Sequence, residues 1–212
     1  MVRPPVQIKE KKLLLVEGTD ALYFAVWAYQ AFGATGMQVL NFGGNTELGL
    51  YLRSLTQLSG YEGIEAIAIA RDAENDPKGA IDSIRKALKA SGLSVPKVPF
   101  QFEGSSPKIA FMVFPGFSVD PDGNEYVAPG TLEDLCLETL EDTKVLSCVD
   151  QYISCLETAG EPVRCLHKSR LHAYLAGKSN FVGLKIGEAA KAGAWNWQHP
   201  GLEPFKRIIL GM

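Results

Sequence analysis

The chain has 212 residues, 46% of them hydrophobic and 21% charged, with a formal net charge of −3. That balance excludes disordered and collagen-like classes, and a chain of this size buries about 70% of its unfolded surface, enough for a core without disulfide or metal staples. No apolar run reaches the roughly 20 residues of a membrane span, and the opening MVRPPVQIKEKK lacks a signal peptide's apolar stretch, so the expectation is a cytoplasmic protein with no membrane partner.

The first 115 residues alternate between strand and helix patterns. Residues 12–16 (KLLLV) form a short continuous apolar run, as suits a strand covered on both faces. A helix is expected over 20–32 and a second strand over 37–42. Gly43-Gly44 turns the chain, and Leu48, Leu52 and Leu55 mark the apolar stripe of a second helix. A third strand is expected at 64–70 (IEAIAIA). A third helix spans 77–90, with Pro77 at its first position and Gly92 just past its end, and a fourth strand spans 108–114 (KIAFMVF). This order predicts an α/β, Rossmann-like fold: a mostly parallel sheet of about four strands with helices on both faces.

Past Pro115 the rhythm changes. Residues 118–129 hold the turn Asp120-Pro121-Asp122-Gly123 between two short extended pieces, and helical patterns follow near 131–142, 144–158, 167–176, 184–193 and 202–210. The expected organisation is an α/β domain over 1–115 and a hairpin with a helical extension over 116–212, packed on it. Cys136, Cys148, Cys155 and Cys165 form no CxxC pair and are read as small buried hydrophobes, kept reduced. His167, His172 and His199 show no zinc-ligand spacing with them.

Charge is unevenly distributed: residues 1–160 carry 13 Lys or Arg against 21 Asp or Glu, whereas residues 161–212 carry 8 against 3. An acidic body argues against nucleic-acid binding through bulk charge. It suits a carboxylate site that holds a metal, with a separate basic surface facing a phosphate-bearing ligand; a merely solvated basic face is the plainer reading.

Two constellations carry chemistry. Glu17, within Val16-Glu17-Gly18-Thr19-Asp20, follows the first strand, and ligands of parallel α/β sheets bind beyond the carboxyl ends of strands. Gly18 permits a sharp turn there, while Asp20 serves either as the cap of the next helix or as a ligand. Arg71-Asp72-Ala73-Glu74-Asn75-Asp76 follows the third strand. Its three acids, two apart, can turn oxygens toward one point, as a hard cation such as Mg²⁺ requires. Asp76, directly before Pro77, has the alternative role of helix cap, whereas Asp72 and Glu74 have none. Gly43-Gly44-Asn45 precedes a helix and is either a phosphate cradle or a simple turn. Glu133 falls inside the apolar arc of its helix, so it either serves near the metal or offsets the positive helix start. Lys168 shares a face with Leu171 and Leu175, as a phosphate contact or as a stem lying along that face. Trp27, Trp195 and Trp197 are read as packing, with base stacking as the alternative for the latter two.

Together, VEGTD at 16–20 and IARDAEND at 69–76, with the intervening GG at 43–44, resemble the Toprim domain over roughly residues 10–115. That domain occurs in topoisomerases, bacterial primases, ribosomal-RNA maturases and OLD-family nucleases. The segments GTLEDLCLETL (130–140) and KIGEAAKAGAWNW (185–197) resemble an uncharacterised bacterial family of stand-alone proteins related to Toprim and OLD domains. The resemblance implies that Glu17 is a general acid/base or a ligand, that Asp72 and Glu74 hold Mg²⁺ or Mn²⁺, and that Lys168 is a catalytic contact to phosphate. The family's second acid is usually Asp; here it is Glu74, whose longer side chain still reaches a metal. The expected function is Mg²⁺-dependent phosphoryl transfer on nucleic-acid phosphodiesters, as in a nuclease. A non-catalytic, metal-dependent module binding a nucleotide or nucleic acid is the alternative, since no GxxxxGK[ST] motif is present. A phospho-acceptor domain ranks last, because no lysine follows the fourth strand. Self-association is left open.

Overall fold

Four strands and three helices alternate through the first half of the chain in a computed structural model that describes residues 7–212. The residues 1–6, which include part of the stretch read as leaderless and the start of the expected 1–115 unit, lie outside the described residues. The elements are β1 (Lys12–Glu17), α1 (Gly18–Ala31), β2 (Met37–Gly43), α2 (Leu48–Leu55), β3 (Ala66–Asp72), α3 (Pro77–Ala90) and β4 (Lys108–Phe114). All three pairings in the sheet are parallel, in the order β2-β1-β3-β4. The sheet is therefore the Rossmann-like α/β arrangement that the strand–helix alternation predicts.

Two elements next to the strand ends differ in extent from the sequence pattern. The first helix begins at Gly18, not at Asp20, because Gly18 adopts φ +83° and turns the chain immediately after the strand. Asp20 consequently lies in the first turn of α1 instead of capping it. The third strand runs to Asp72, beyond the expected Ala70, since Arg71 and Asp72 still pair with Val113 and Phe114 of β4.

Alternation along the strands sorts their side chains into two cores. Leu13, Leu15, Ile67, Ile69, Ile109, Phe111 and Val113 face α2 and α3, meeting Leu48, Leu52, Leu55, Ile84 and Leu88. The opposite face is built of smaller residues, Ala66, Ala68, Ala70 and Ala110, beside Leu14, Val16, Met112 and Phe114. That face takes α1 and the carboxyl-terminal half of the chain.

The second half opens with a hairpin, β5 (Phe117–Val119) and β6 (Glu125–Val127), whose turn is held by the Asp120 carboxylate accepting from the Asp122 and Asn124 N–H groups at 2.9 and 2.8 Å. Five helices follow: α4 (Leu132–Glu138), α5 (Thr143–Thr158), α6 (Leu166–Ala176), α7 (Ile186–Lys191) and α8 (Glu203–Gly211). Phe205 of α8 packs against Phe24 and Phe114 with ring centroids 6.0 and 5.6 Å apart, closing the core over the small-residue face. Trp195 is buried, and Trp197 lies 5.3 Å from the Phe24 ring, so both serve packing. Cys136 is buried, but Cys148, Cys155 and Cys165 are exposed free thiols, which corrects the expectation that all four are core residues. The reason is the narrow buried stripe of α5, which consists of Val149 and Ile153 and leaves both of its cysteines outside. Among the described residues no helix is long and apolar enough to cross a membrane.

Candidate functional site

Strand β1 leads to β2 on one side, whereas β3 is added on the other, so the strand order reverses between β1 and β3. A crevice opens at such a reversal beyond the strands' carboxyl ends, and ligands of open α/β sheets bind there. Glu17 ends β1 and Asp72 ends β3, so the two acids flank this crevice.

A register shift between Val16 and Glu17 re-aims the end of β1: Val16 pairs with Asn41, but Glu17 pairs with Gly43. The Asn41 side chain fixes that irregularity, its amide oxygen accepting from the N–H groups of Gly18 and Gly43 at 3.1 and 2.8 Å. Glu17 occupies the N-cap position of α1, yet its side chain makes no capping hydrogen bond. Instead its Oε2 lies 3.5 Å from Arg71 Nε, and among the described residues neither atom has a hydrogen-bond partner. A half-buried carboxylate freed from capping and held by a loose ion pair is available to a ligand. Burial pushes the Glu17 carboxyl above the usual range; Arg71 draws it back, Glu74 adds to the rise, and the backbone N–H groups of Asn45 and Asp72 favour the charged form.

Asp72 is more strongly perturbed. Burial raises its pKa to about 7, and the carboxylates of Glu133, Glu17 and Glu74 contribute in the same direction. Opposing them, its Oδ1 accepts from the Leu132 N–H at 2.9 Å, which ties the end of β3 to the start of α4. A second tie lies beside it. Glu74 and Gly130 exchange backbone hydrogen bonds of 2.8 and 2.7 Å, and Glu74 holds φ +52°, a conformation uncommon outside glycine and frequent at functional sites. Thr131 and Asp134 then form a capping box that starts α4, and Glu133, only 8% exposed, is delivered next to Asp72. Lys168 of α6 reaches Glu133 Oε1 at 3.8 Å.

Glu17, Asp72, Glu74, Glu133 and Lys168 thus belong to one electrostatic cluster. The other sequence candidates stand differently. The Asp76 side chain accepts from the Gly79 N–H at 2.9 Å and caps α3. Asp20 is exposed on the first turn of α1. The N–H groups of Gly43 and Gly44 donate to Asn41 and to the Glu47 carboxylate, so of the Gly43-Gly44-Asn45 cradle it is the Asn45 N–H that turns to Glu17. Arg71 and Asn41 carry site geometry that the sequence reading assigned to neither. An arginine closing an otherwise unbroken apolar strand was the available signal, because a buried guanidinium needs an anion.

The donor chemistry suits a hard divalent cation: oxygen ligands only, with mutual repulsion that a cation would relieve. As placed, Glu17 faces Arg71 and Asp72 faces Leu132, and among the described residues no three acidic, histidine or cysteine side chains converge around a single point. Holding an ion therefore requires side-chain rotation of these carboxylates.

A family model described as a protein of unknown function (DUF3226) matches residues 11–210. No curated protein and no solved structure matches the chain.

Proposed function

We propose that this chain, which belongs to the DUF3226 family of proteins of unknown function, is a Toprim-like, Mg²⁺-dependent phosphoryl-transfer protein acting on nucleic-acid phosphodiesters, in the manner of a nuclease. One observation carries the reading: Glu17 and Asp72 flank the crevice where the strand order reverses, with Glu74 and Glu133 gathered electrostatically around Asp72 and Lys168 paired with Glu133. Asp72 and Glu74, with Glu17, are the residues that would hold the cation. When bound, Mg²⁺ or Mn²⁺ would neutralise charge on the transferring phosphoryl group. Glu17, with its raised pKa, is suited to move a proton at the attacking or leaving oxygen, and Arg71 steadies its charged form. Lys168, aligned by Glu133, offers positive charge to the phosphodiester. Free, exposed thiols at Cys148, Cys155 and Cys165 favour a reducing compartment such as the cytoplasm.

The test combines cleavage of labelled single- and double-stranded DNA and RNA in Mg²⁺ and Mn²⁺ with calorimetric Mn²⁺ titration. The expected result is divalent-dependent cleavage, reduced roughly 10²-fold or more in Glu17→Gln and Asp72→Asn. Mn²⁺ binding that depends on Asp72, without turnover on any substrate, would instead establish the non-catalytic binding module. Absence of both binding and cleavage would overturn the metal-dependent reading.

A further inference from the structure

Arg71 belongs to two sites. Its Nε approaches Glu17, but its Nη1 donates to Ser83 Oγ on α3 at 3.3 Å, and its side chain lines a separate cavity of about 480 Å³ between α2 and α3. Around that cavity stand Arg53 from α2, Ser83 and Lys86 from α3, and Asn45 and Thr46 from the loop after β2. Among the described residues no acidic side chain lines it, so three cations surround it in a chain whose net charge is −3.

The chemistry of the walls selects the ligand. Two guanidinium forks, an ammonium and a hydroxyl match the tetrahedral oxygens of a phosphate group, with Arg supplying paired N–H donors and Lys a mobile point charge. Arg71 is the fixed member. It is 6% exposed, packed at the end of β3, with one nitrogen lacking a hydrogen-bond partner. A buried guanidinium so placed has its desolvation offset by an anion, and Glu17 at 3.5 Å offsets it only in part. Arg53 and Lys86 are exposed and can close on a ligand without disturbing the core. Apolar Leu48 and Ala87 floor the cavity, and its size suits a phosphate bearing a small substituent.

We propose that the α2–α3 cavity is a phosphate-ester site, in which Arg71, Arg53, Lys86 and Ser83 hold a phosphate group. It rests on the proposed function only for its role: a phosphate anchored here places its ligand beside Glu17, because Arg71 and the Asn45 loop border both sites. Such a site favours ligands bearing a terminal phosphate.

The experiment is calorimetry in EDTA and low salt, comparing a 5′-phosphorylated trinucleotide with its 5′-hydroxyl counterpart, with inorganic phosphate as competitor. The wild-type protein is expected to prefer the phosphorylated ligand roughly tenfold or more. In the Arg53→Gln/Lys86→Gln double variant that preference is expected to fall to about one, with thermal melting unchanged because both side chains are exposed. Competition by inorganic phosphate would assign recognition to the phosphate group alone, whereas its failure to compete, with the preference still dependent on Arg53 and Lys86, would assign it to the nucleotide phosphate. No preference in the wild type, or a preference that survives the double variant, would overturn the proposal. EDTA keeps the two readings apart: a phosphate preference intact in EDTA, with no cleavage when Mg²⁺ or Mn²⁺ is supplied, sinks only the nuclease reading.

Discussion

At neutral pH Asp72 holds its proton far more readily than a free carboxyl, since burial and three neighbouring carboxylates all disfavour its charge. Its pKa is about 7 in the folded protein against 3.8 as a free side chain, so between those values the folded state binds the extra proton. Stability linked to this group is therefore fully present below about pH 4 and is lost as pH rises toward 7. The rise from 3.8 to about 7 corresponds to about 4 kcal/mol, at roughly 1.4 kcal/mol per pH unit. Asp72→Asn keeps an acceptor for the Leu132 N–H and removes the charge. In EDTA it is expected to gain about 4 kcal/mol at pH 8 and little at pH 4, measured by urea denaturation at both values. Equal stability of the two proteins at pH 8 would refute this electrostatic description of the cluster. A carboxylate that weakens the fold at working pH has its natural explanation in ligand chemistry.

At the scale of elements, helix starts and strand ends do most of the positioning. The β1 irregularity clamped by Asn41 aims Glu17, while the Glu74–Gly130 bridge and the Asp72–Leu132 bond dock α4 against the site. By contrast, Asp76 serves α3 alone. Asp76→Ala is expected to cost about 1 kcal/mol and to lower the melting temperature by about 3 °C, with Mn²⁺ binding unchanged. Lost Mn²⁺ binding in that variant would return Asp76 to the ligand set. Part of the charge asymmetry is met by pairing between elements. Lys168, Arg170 and Lys178, from the basic end of the chain, pair with Glu133, Asp150 and Asp142 of the acidic part. Three further cations, Arg53, Arg71 and Lys86, line the cavity between α2 and α3 in the first half of the chain.

For the molecule as a whole, the division near residue 115 marks a change of topology and not two independent cores. Ala66, Ala68, Ala70, Ala110 and Met112 on one sheet face share a continuous core with residues from α4 through α8. Phe205, 2% exposed, joins the two halves through Phe24, Phe32 and Phe114. Phe205→Ala is expected to cost about 3–5 kcal/mol and to shift unfolding of both halves together, seen as coincident transitions by far-ultraviolet circular dichroism and tryptophan fluorescence. Separated transitions would show that residues 116–212 unfold independently of the sheet.

Local pattern was enough to reveal the parallel sheet, the strand-end acids Glu17 and Asp72, and the helical second half, because apolar periodicity and turn residues act over short stretches of chain. The span of α3 and that of β4 follow from the sequence to the residue. Arg71's double role, the arrival of Glu133 beside Asp72 and of Lys168 beside Glu133, and the cation-lined cavity between α2 and α3 were decided only in three dimensions. Each brings together groups from separate elements, tens of residues apart, and the energy of such a meeting depends on distance and burial, which no local pattern encodes.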